Sequence, residues 1–155
     1  MTSPVGFRID WVLVNELAIG HAPRQERHLV LLKAAGVRAI LSLCSAEEAP
    51  PPGLRARFRC ERLVLPAHGS GRLPLAIKLE EALKLLTLLK LAGPVYVHCV
   101  AAMERSPLLY LAWLIRERRL SIEQALAYLM HIHPGANPLP GQLALLRRLS
   151  QNFWR

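Results

Sequence analysis

The run His98-Cys99-Val100-Ala101-Ala102-Met103-Glu104-Arg105-Ser106 sets a thiol and a guanidinium on either side of five intervening residues. An apolar, β-rich segment ending at Val97 precedes it, and an apolar helical segment follows. In an α/β sheet, ligands bind at the carboxyl ends of strands. A helix that begins there aims its unpaired N–H groups and the positive end of its dipole at the loop. The spacing lets the N–H groups of Val100, Ala101, Ala102, Met103, Glu104 and Arg105 curl around one tetrahedral oxyanion. Arg105 adds a planar fork suited to two phosphate oxygens. Cys99 lies at the floor of the same cup, where the dipole, the amides and Arg105 all favour a thiolate. A thiolate beneath a bound phosphate is placed for in-line attack on phosphorus. Reading Cys99 as a buried structural cysteine would leave Arg105 and the loop unexplained.

Three neighbours complete the constellation. Ser106 before Pro107 reads either as an N-cap with proline at the first helical position, or as a hydroxyl that donates to the sulfur and eases its departure from a phospho-cysteine. His98 reads as an orienting, hydrogen-bonded core histidine rather than a proton donor to substrate. Glu104 reads as pointing outward or ordering the loop. Cys44 and Cys60, each at a strand end with no matched arginine, read as structural. Three cysteines without paired spacing suit a reducing compartment, and no Cys-x-x-Cys or histidine cluster suggests zinc. The chemistry needs neither metal nor organic cofactor.

The elements that must hold this loop follow from periodicity. WVLVNELAIG reads as one or two short strands with a polar turn at Asn15-Glu16. PRQERHLVLLKAAG is helical, with Pro23 near its start and Gly36 at its C-terminus. VRAILSLC is a buried strand, SAEEAPPPG a loop, RFRCERLVLP a half-exposed strand and AHGSGRLP a second loop. PLAIKLEEALKLLTLLKLAG is a long amphipathic helix ending at Gly93, and PVYVHC is the strand that feeds the loop. Three helices follow: SPLLYLAWLIRERRL, SIEQALAYLMHIH with Ser121 as N-cap, and LPGQLALLRRLSQNFW. The whole chain, residues 1–155, reads as one α/β domain. A central, mostly parallel sheet is flanked by helices, and the C-terminal half is helical.

Composition narrows the partners. Half of the 155 residues are hydrophobic and a fifth are charged, so a folded domain is expected. The net charge of +9 favours anionic partners. The basic residues are scattered, Arg118-Arg119 and Arg147-Arg148 sit on helices, and no aromatics interleave with them. A nucleic-acid site therefore rests on charge alone. The segment 83–91 carries Lys84 and Lys90 and is too short to span a bilayer, and MTSPVGFRID has no signal-peptide pattern. The expectation is a monomeric cytoplasmic protein with no nucleic-acid or membrane partner.

The segment HCVAAMERS resembles the His-Cys-x5-Arg-Ser/Thr signature of cysteine-dependent protein phosphatases, and the order of elements is similar to the compact dual-specificity branch. LAIGHAP resembles the strand and turn that open such domains, AGVRAILSLC their first helix-to-strand junction, and GPVYVHC the strand that feeds the phosphate loop. HPGANPLPGQLALL resembles their closing segment, whose helix packs near that loop. The resemblance runs over residues 11–149. It implies hydrolysis of phosphotyrosine, phosphoserine or phosphothreonine in proteins, or of a small phosphomonoester. Cys99, Arg105 and Ser106 would be catalytic, and residues Val100 to Arg105 would bind phosphate.

Two departures stand out. Ala102 occupies a position where the family usually has glycine, which costs on the order of 1 kcal/mol if its φ is positive. The family also protonates the leaving oxygen with an aspartate on a loop upstream of the cysteine. Here Asp10 is the only aspartate, and the matching loop, LPAHGSGRLP, offers Ala67, 32 residues before Cys99. His68 beside it could supply the proton or be a solvated loop histidine. Natural loss and an engineered replacement at position 67 leave the same pattern. The alternative reading is therefore a phosphate-binding module with little turnover.

Overall fold

Strands that are buried on both faces read as continuous apolar runs, and this chain builds its sheet from four-residue segments of that kind. β2 (Leu17–Gly20), β3 (Ala39–Ser42) and β5 (Val95–His98) are buried at every position. β1 (Asp10–Leu13) and β4 (Arg59–Arg62) form the more exposed edges. The order is β1-β2-β5-β3-β4. β1 runs antiparallel to β2, while β2, β5, β3 and β4 are mutually parallel. The computed structural model describes residues 6–51, 57–66 and 75–154. The Ala67 and His68 positions lie outside those residues.

Alternation along the strands sends side chains to two unequal layers. Ala18, Ile40 and Tyr96 face α1 (Glu26–Ala34) and pack with Leu29, Leu32, Val37 and Phe58. Leu17, Ile19, Ala39, Leu41, Val95 and Val97 face the larger core made by α2 (Leu75–Leu89), α3 (Arg105–Arg118), α4 (Ile122–Ile132) and α5 (Pro140–Asn152). The doubly covered sheet with its helical C-terminal half is the expected α/β architecture. α4 begins at the expected Ser121, whose Oγ accepts the Gln124 N–H while Gln124 Oε1 accepts the Ser121 N–H. The turn at Asn15 has φ 62, a left-handed value that asparagine tolerates well.

The central strand β5 is the one that ends in Cys99, and its neighbours fix where the loop begins. His98 is in register with Ser42 on β3 and with Gly20 on β2. Gly20 is required by close approach: a Cβ there would fall 2.2 Å from the Tyr96 hydroxyl and 2.5 Å from the Arg8 carbonyl. That proximity lets Tyr96 donate to the His21 carbonyl at 2.6 Å, fixing the chain as it leaves β2. On the other face Tyr110 of α3, fully buried, donates to the Ala18 carbonyl at 2.7 Å. This bond ties the helix that follows the loop to the sheet that precedes it. Tyr110→Phe removes the donor and leaves a buried acceptor weakened, which should cost about 1–3 kcal/mol. Urea denaturation should show a lower midpoint with an unchanged m-value.

Candidate active site: a loop with its carbonyls turned outward

The segment between β5 and α3 is the candidate phosphate loop, and its backbone partners decide its shape. The Cys99 carbonyl accepts from His98 Nδ1 at 2.9 Å. The Val100 carbonyl accepts from the Ala22 N–H at 3.2 Å, and the Met103 carbonyl from the Asn137 N–H at 2.6 Å. The Ala102 carbonyl accepts from His133 Nε2 at 2.8 Å. In a planar trans peptide, a C=O and the following N–H point in opposite directions. Four carbonyls held by the surrounding protein therefore turn the N–H groups of Val100, Ala101, Met103 and Glu104 to the loop's other side. The Glu104 carbonyl closes the first turn of α3 by accepting from the Leu108 N–H at 2.8 Å. Ala102 has φ 58, so the strain anticipated for an alanine at this position is present.

Cys99 and Arg105 are both buried, at 3% and 6% exposure, which puts thiol and guanidinium within the protein rather than on a solvated rim. Arg105 meets Glu48, from the SAEEAPPPG loop. Nη2 lies 2.9 Å from Oε1 and Nη1 3.3 Å from Oε2, a fork-to-fork pair. Glu48 is fixed by Ser45, whose N–H donates to Oε2 at 2.9 Å while Ser45 Oγ accepts the Glu48 N–H at 3.1 Å. The bond from Arg105 first, then that from the Ser45 N–H, hold the Glu48 carboxyl down at about 2. A guanidinium has five N–H donors, so the pair with Glu48 leaves donors for an anion. The Ser45-x-x-Glu48 spacing is a readable local signal for this arrangement.

His98 behaves as expected of an orienting core histidine. Its Nε2 lies 2.7 Å from Ser42 Oγ and its Nδ1 faces the Cys99 carbonyl, so Nδ1 donates and Nε2 accepts the Ser42 hydroxyl. Burial holds its pKa down to about 4, so the ring is neutral at pH 7. Ser106 departs from one of its two readings. The helix begins at Arg105, with Glu104 at the N-cap, so Ser106 and Pro107 are the second and third helical residues and Ser106 does not cap. The reason is steric and topological: the chain turns into α3 as soon as Arg105 is buried. Proline is tolerated because the N–H groups of a helix's first turn have no intrahelical partner. Ser106 Oγ is fully buried with no hydrogen-bond partner among the described residues, a polar group left inside the site. Met103 is half-exposed at the mouth of the loop. Cys44, at the end of β3, is buried, and burial pushes its thiol up; Cys60 sits on β4.

The sequence profile of the dual specificity phosphatase catalytic domain matches residues 24–152. The chain belongs to the dual-specificity phosphatase family. The phosphatidylglycerophosphate phosphatase PTPMT2 of Arabidopsis thaliana is 24% identical over 143 residues, covering 91% of this chain. The chain spans 63% of that relative's length. Among solved structures, the active form of Tk-PTP superposes with a TM-score of 0.78 at 24% identity, covering 94% of this chain and 97% of that one. The human tyrosine phosphatase-like serine/threonine/tyrosine-interacting protein gives 0.81 at 20% identity, covering 95% and 98%. PTPMT1 in complex with PI(5)P gives 0.74 at 22% identity, covering 88% and 90%. These superpositions establish the shared fold of the dual-specificity phosphatase domain, and the family is one of phosphatases.

His98 and Glu48, both beside the loop, contribute to the domain's acid response. His98 has a folded pKa below its ordinary 6.5, so its contribution to stability is complete above pH 6.5 and lost as pH falls toward 4. Glu48 has a folded value below its ordinary 4.5, so its contribution is complete above pH 4.5 and lost as pH falls toward 2. Equilibrium unfolding followed against pH should show destabilisation in both windows. Glu48→Gln should remove the lower window and leave the upper one in place.

Proposed function

We propose that the domain hydrolyses phosphomonoesters through a phospho-cysteine intermediate on Cys99. The observation that carries this reading is the set of four loop carbonyls bonded outward, which leaves amides to face a single anion above a buried thiol and beside a buried guanidinium. The loop amides from Val100 to Arg105 and the Arg105 fork hold the three non-reacting phosphate oxygens. The Cys99 thiolate attacks phosphorus, an S–P bond forms, the P–O bond to the substrate breaks, and the leaving oxygen takes a proton. Water then attacks phosphorus, the S–P bond breaks, and inorganic phosphate leaves with the thiolate restored. Ser106, whose buried hydroxyl has no other partner among the described residues, donates to the departing sulfur in this second step. Glu48 keeps Arg105 extended across the pocket in the absence of substrate.

A depression lies beside Val100 and Ala101, on the side of Ala22, the donor to the Val100 carbonyl. This space of about 350 Å³ is lined also by Phe7, His21, Ala22, Arg24 and His28. Its basic rim and the net charge of +9 suit an anionic flanking group. A phosphorylated protein meets that description. So does a phospholipid headgroup, which the name of the PTPMT2 relative and the PI(5)P bound to PTPMT1 both suggest. The second reading, a phosphate-binding module with little turnover, draws on Ala67 and on a structural neighbour described as a phosphatase-like interacting protein.

Cys99→Ser should abolish hydrolysis of an aryl phosphate while the protein stays folded by circular dichroism; full activity in that variant would remove the mechanism. The acid position decides between the two readings. An aryl oxide leaves unaided, whereas an alkoxide needs a proton, and general acid catalysis is worth about 10²–10⁴ in rate. With alanine at the acid position, the wild-type protein should cleave aryl phosphates and barely touch alkyl ones. Ala67→Asp should raise alkyl phosphate hydrolysis by about 10² or more. If His68 supplies the proton instead, His68→Ala lowers the rate and Ala67→Asp adds little. Release of phosphate from a phosphopeptide and from a short-chain phosphoinositide, measured side by side, separates the protein and lipid substrate classes.

A further inference from the structure

The sequence contains one aspartate, and the mechanism above does not use it. Asp10 opens β1, at the edge of the sheet, yet its side chain is only 11% exposed. Its Oδ2 lies 2.7 Å from His133 Nδ1, and the opposite nitrogen of that ring, Nε2, lies 2.8 Å from the Ala102 carbonyl. His133 is itself buried and caps the C-terminal end of α4. Both ring nitrogens thus face oxygen acceptors. A neutral imidazole has a single N–H and can serve one of them, whereas the imidazolium serves both. Arg8, largely exposed, donates to the other oxygen of Asp10 at 2.9 Å, and Tyr96 lies within electrostatic reach of the carboxylate.

We infer that Asp10 and His133 form a positioning pair that sets the Ala102–Met103 peptide plane in the phosphate loop. This inference rests on the reading of that loop as an anion cup. The latch acts on a loop whose Ala102 already sits in the left-handed region, at φ 58. Rotating the Ala102–Met103 peptide would swing the carbonyl oxygen into the cup and the Met103 N–H out of it, replacing a donor to the anion with a repelling dipole. The bond from His133 Nε2 to the carbonyl oxygen opposes the rotation. Asp10, from a strand far from the loop in sequence, keeps the ring oriented. Neither residue touches substrate; both act through the direction of one amide.

The test uses the full chain with orthovanadate as the probe, together with amide hydrogen exchange at Met103. Asp10→Ala and His133→Gln should each weaken vanadate binding about tenfold, the size expected for loss of one hydrogen bond to a charged group. Each should also speed Met103 exchange under native conditions. Asp10→Asn keeps a neutral hydrogen-bonded chain, because the amide can donate to Nδ1 while Nε2–H still reaches Ala102, and should recover part of the loss. Adding Asp10→Ala to His133→Gln should have no further effect on vanadate binding, since Asp10 acts through the ring. A purely structural role predicts otherwise: lower melting temperatures, unchanged vanadate affinity, unchanged Met103 exchange, and additive effects in the double variant. That pattern, in a wild-type protein that binds vanadate, overturns the inference and leaves the proposed hydrolysis standing. If the wild-type protein binds no vanadate, the proposed function fails, and Met103 exchange in the same variants still decides the latch.

Discussion

A short loop can surround an anion with N–H groups only if its carbonyls are kept facing the other way. Left alone, six consecutive peptides would satisfy both kinds of group from water and from one another, and no single direction would win. In this domain the direction is imposed from outside, by partners drawn from four separate places: the end of β5, the chain leaving β2, the end of α4 and the link to α5. The arrangement around the loop can be read as scaffolding for those bonds. Tyr96 and Gly20 fix the path that brings Ala22 to Val100, and Tyr110 fixes the helix that starts at Arg105. Because a buried polar group without a partner is costly, the unpaired side of each peptide is where a ligand gains most.

The charged groups are arranged to the same end. Glu48 holds Arg105 by both terminal nitrogens, which offsets the cost of burying a guanidinium when no anion is present. His98 sits directly behind the thiol as a neutral ring, so it orients the Cys99 peptide without adding a charge that would compete with Arg105. The positive end of α3 then faces the same loop as the Arg105 guanidinium. The Ser106 hydroxyl is buried without a hydrogen-bond partner among the described residues. A buried polar group of that kind calls for a reason, and the sulfur departing in the proposed second step would supply one.

Much of this was legible in the amino-acid order. The Cys99-x5-Arg105 spacing, the apolar run before it and the helix after it place the loop correctly, because they depend on contacts close in sequence. The buried strands, the Ser121 cap and the helical second half are local signals of the same sort. What the sequence concealed were the long-range partners. Nothing in the string HIHPGAN announces that His133 and Asn137 grip the loop 30 or more residues away. Nothing marks Asp10 as more than an aspartate in the wrong place for an acid. Glu48 was half visible through its spacing from Ser45, yet its partner across the pocket was not. The Ser106 cap was misplaced because local rules put the N-cap at the serine before proline, whereas the helix starts at Arg105 with Glu104 as its N-cap, two residues earlier.

The account stands or falls on whether the inward-facing amides, Arg105 and Cys99 converge on one anion. A crystal structure of the protein soaked with vanadate measures this directly. The account predicts vanadium bonded to Cys99 Sγ, its equatorial oxygens accepting from the loop amides between Val100 and Arg105 and from the Arg105 guanidinium, with the Ala102 carbonyl still on His133. Vanadate bound elsewhere, or a loop whose carbonyls point at the thiol while Cys99 stays unmodified, would contradict it.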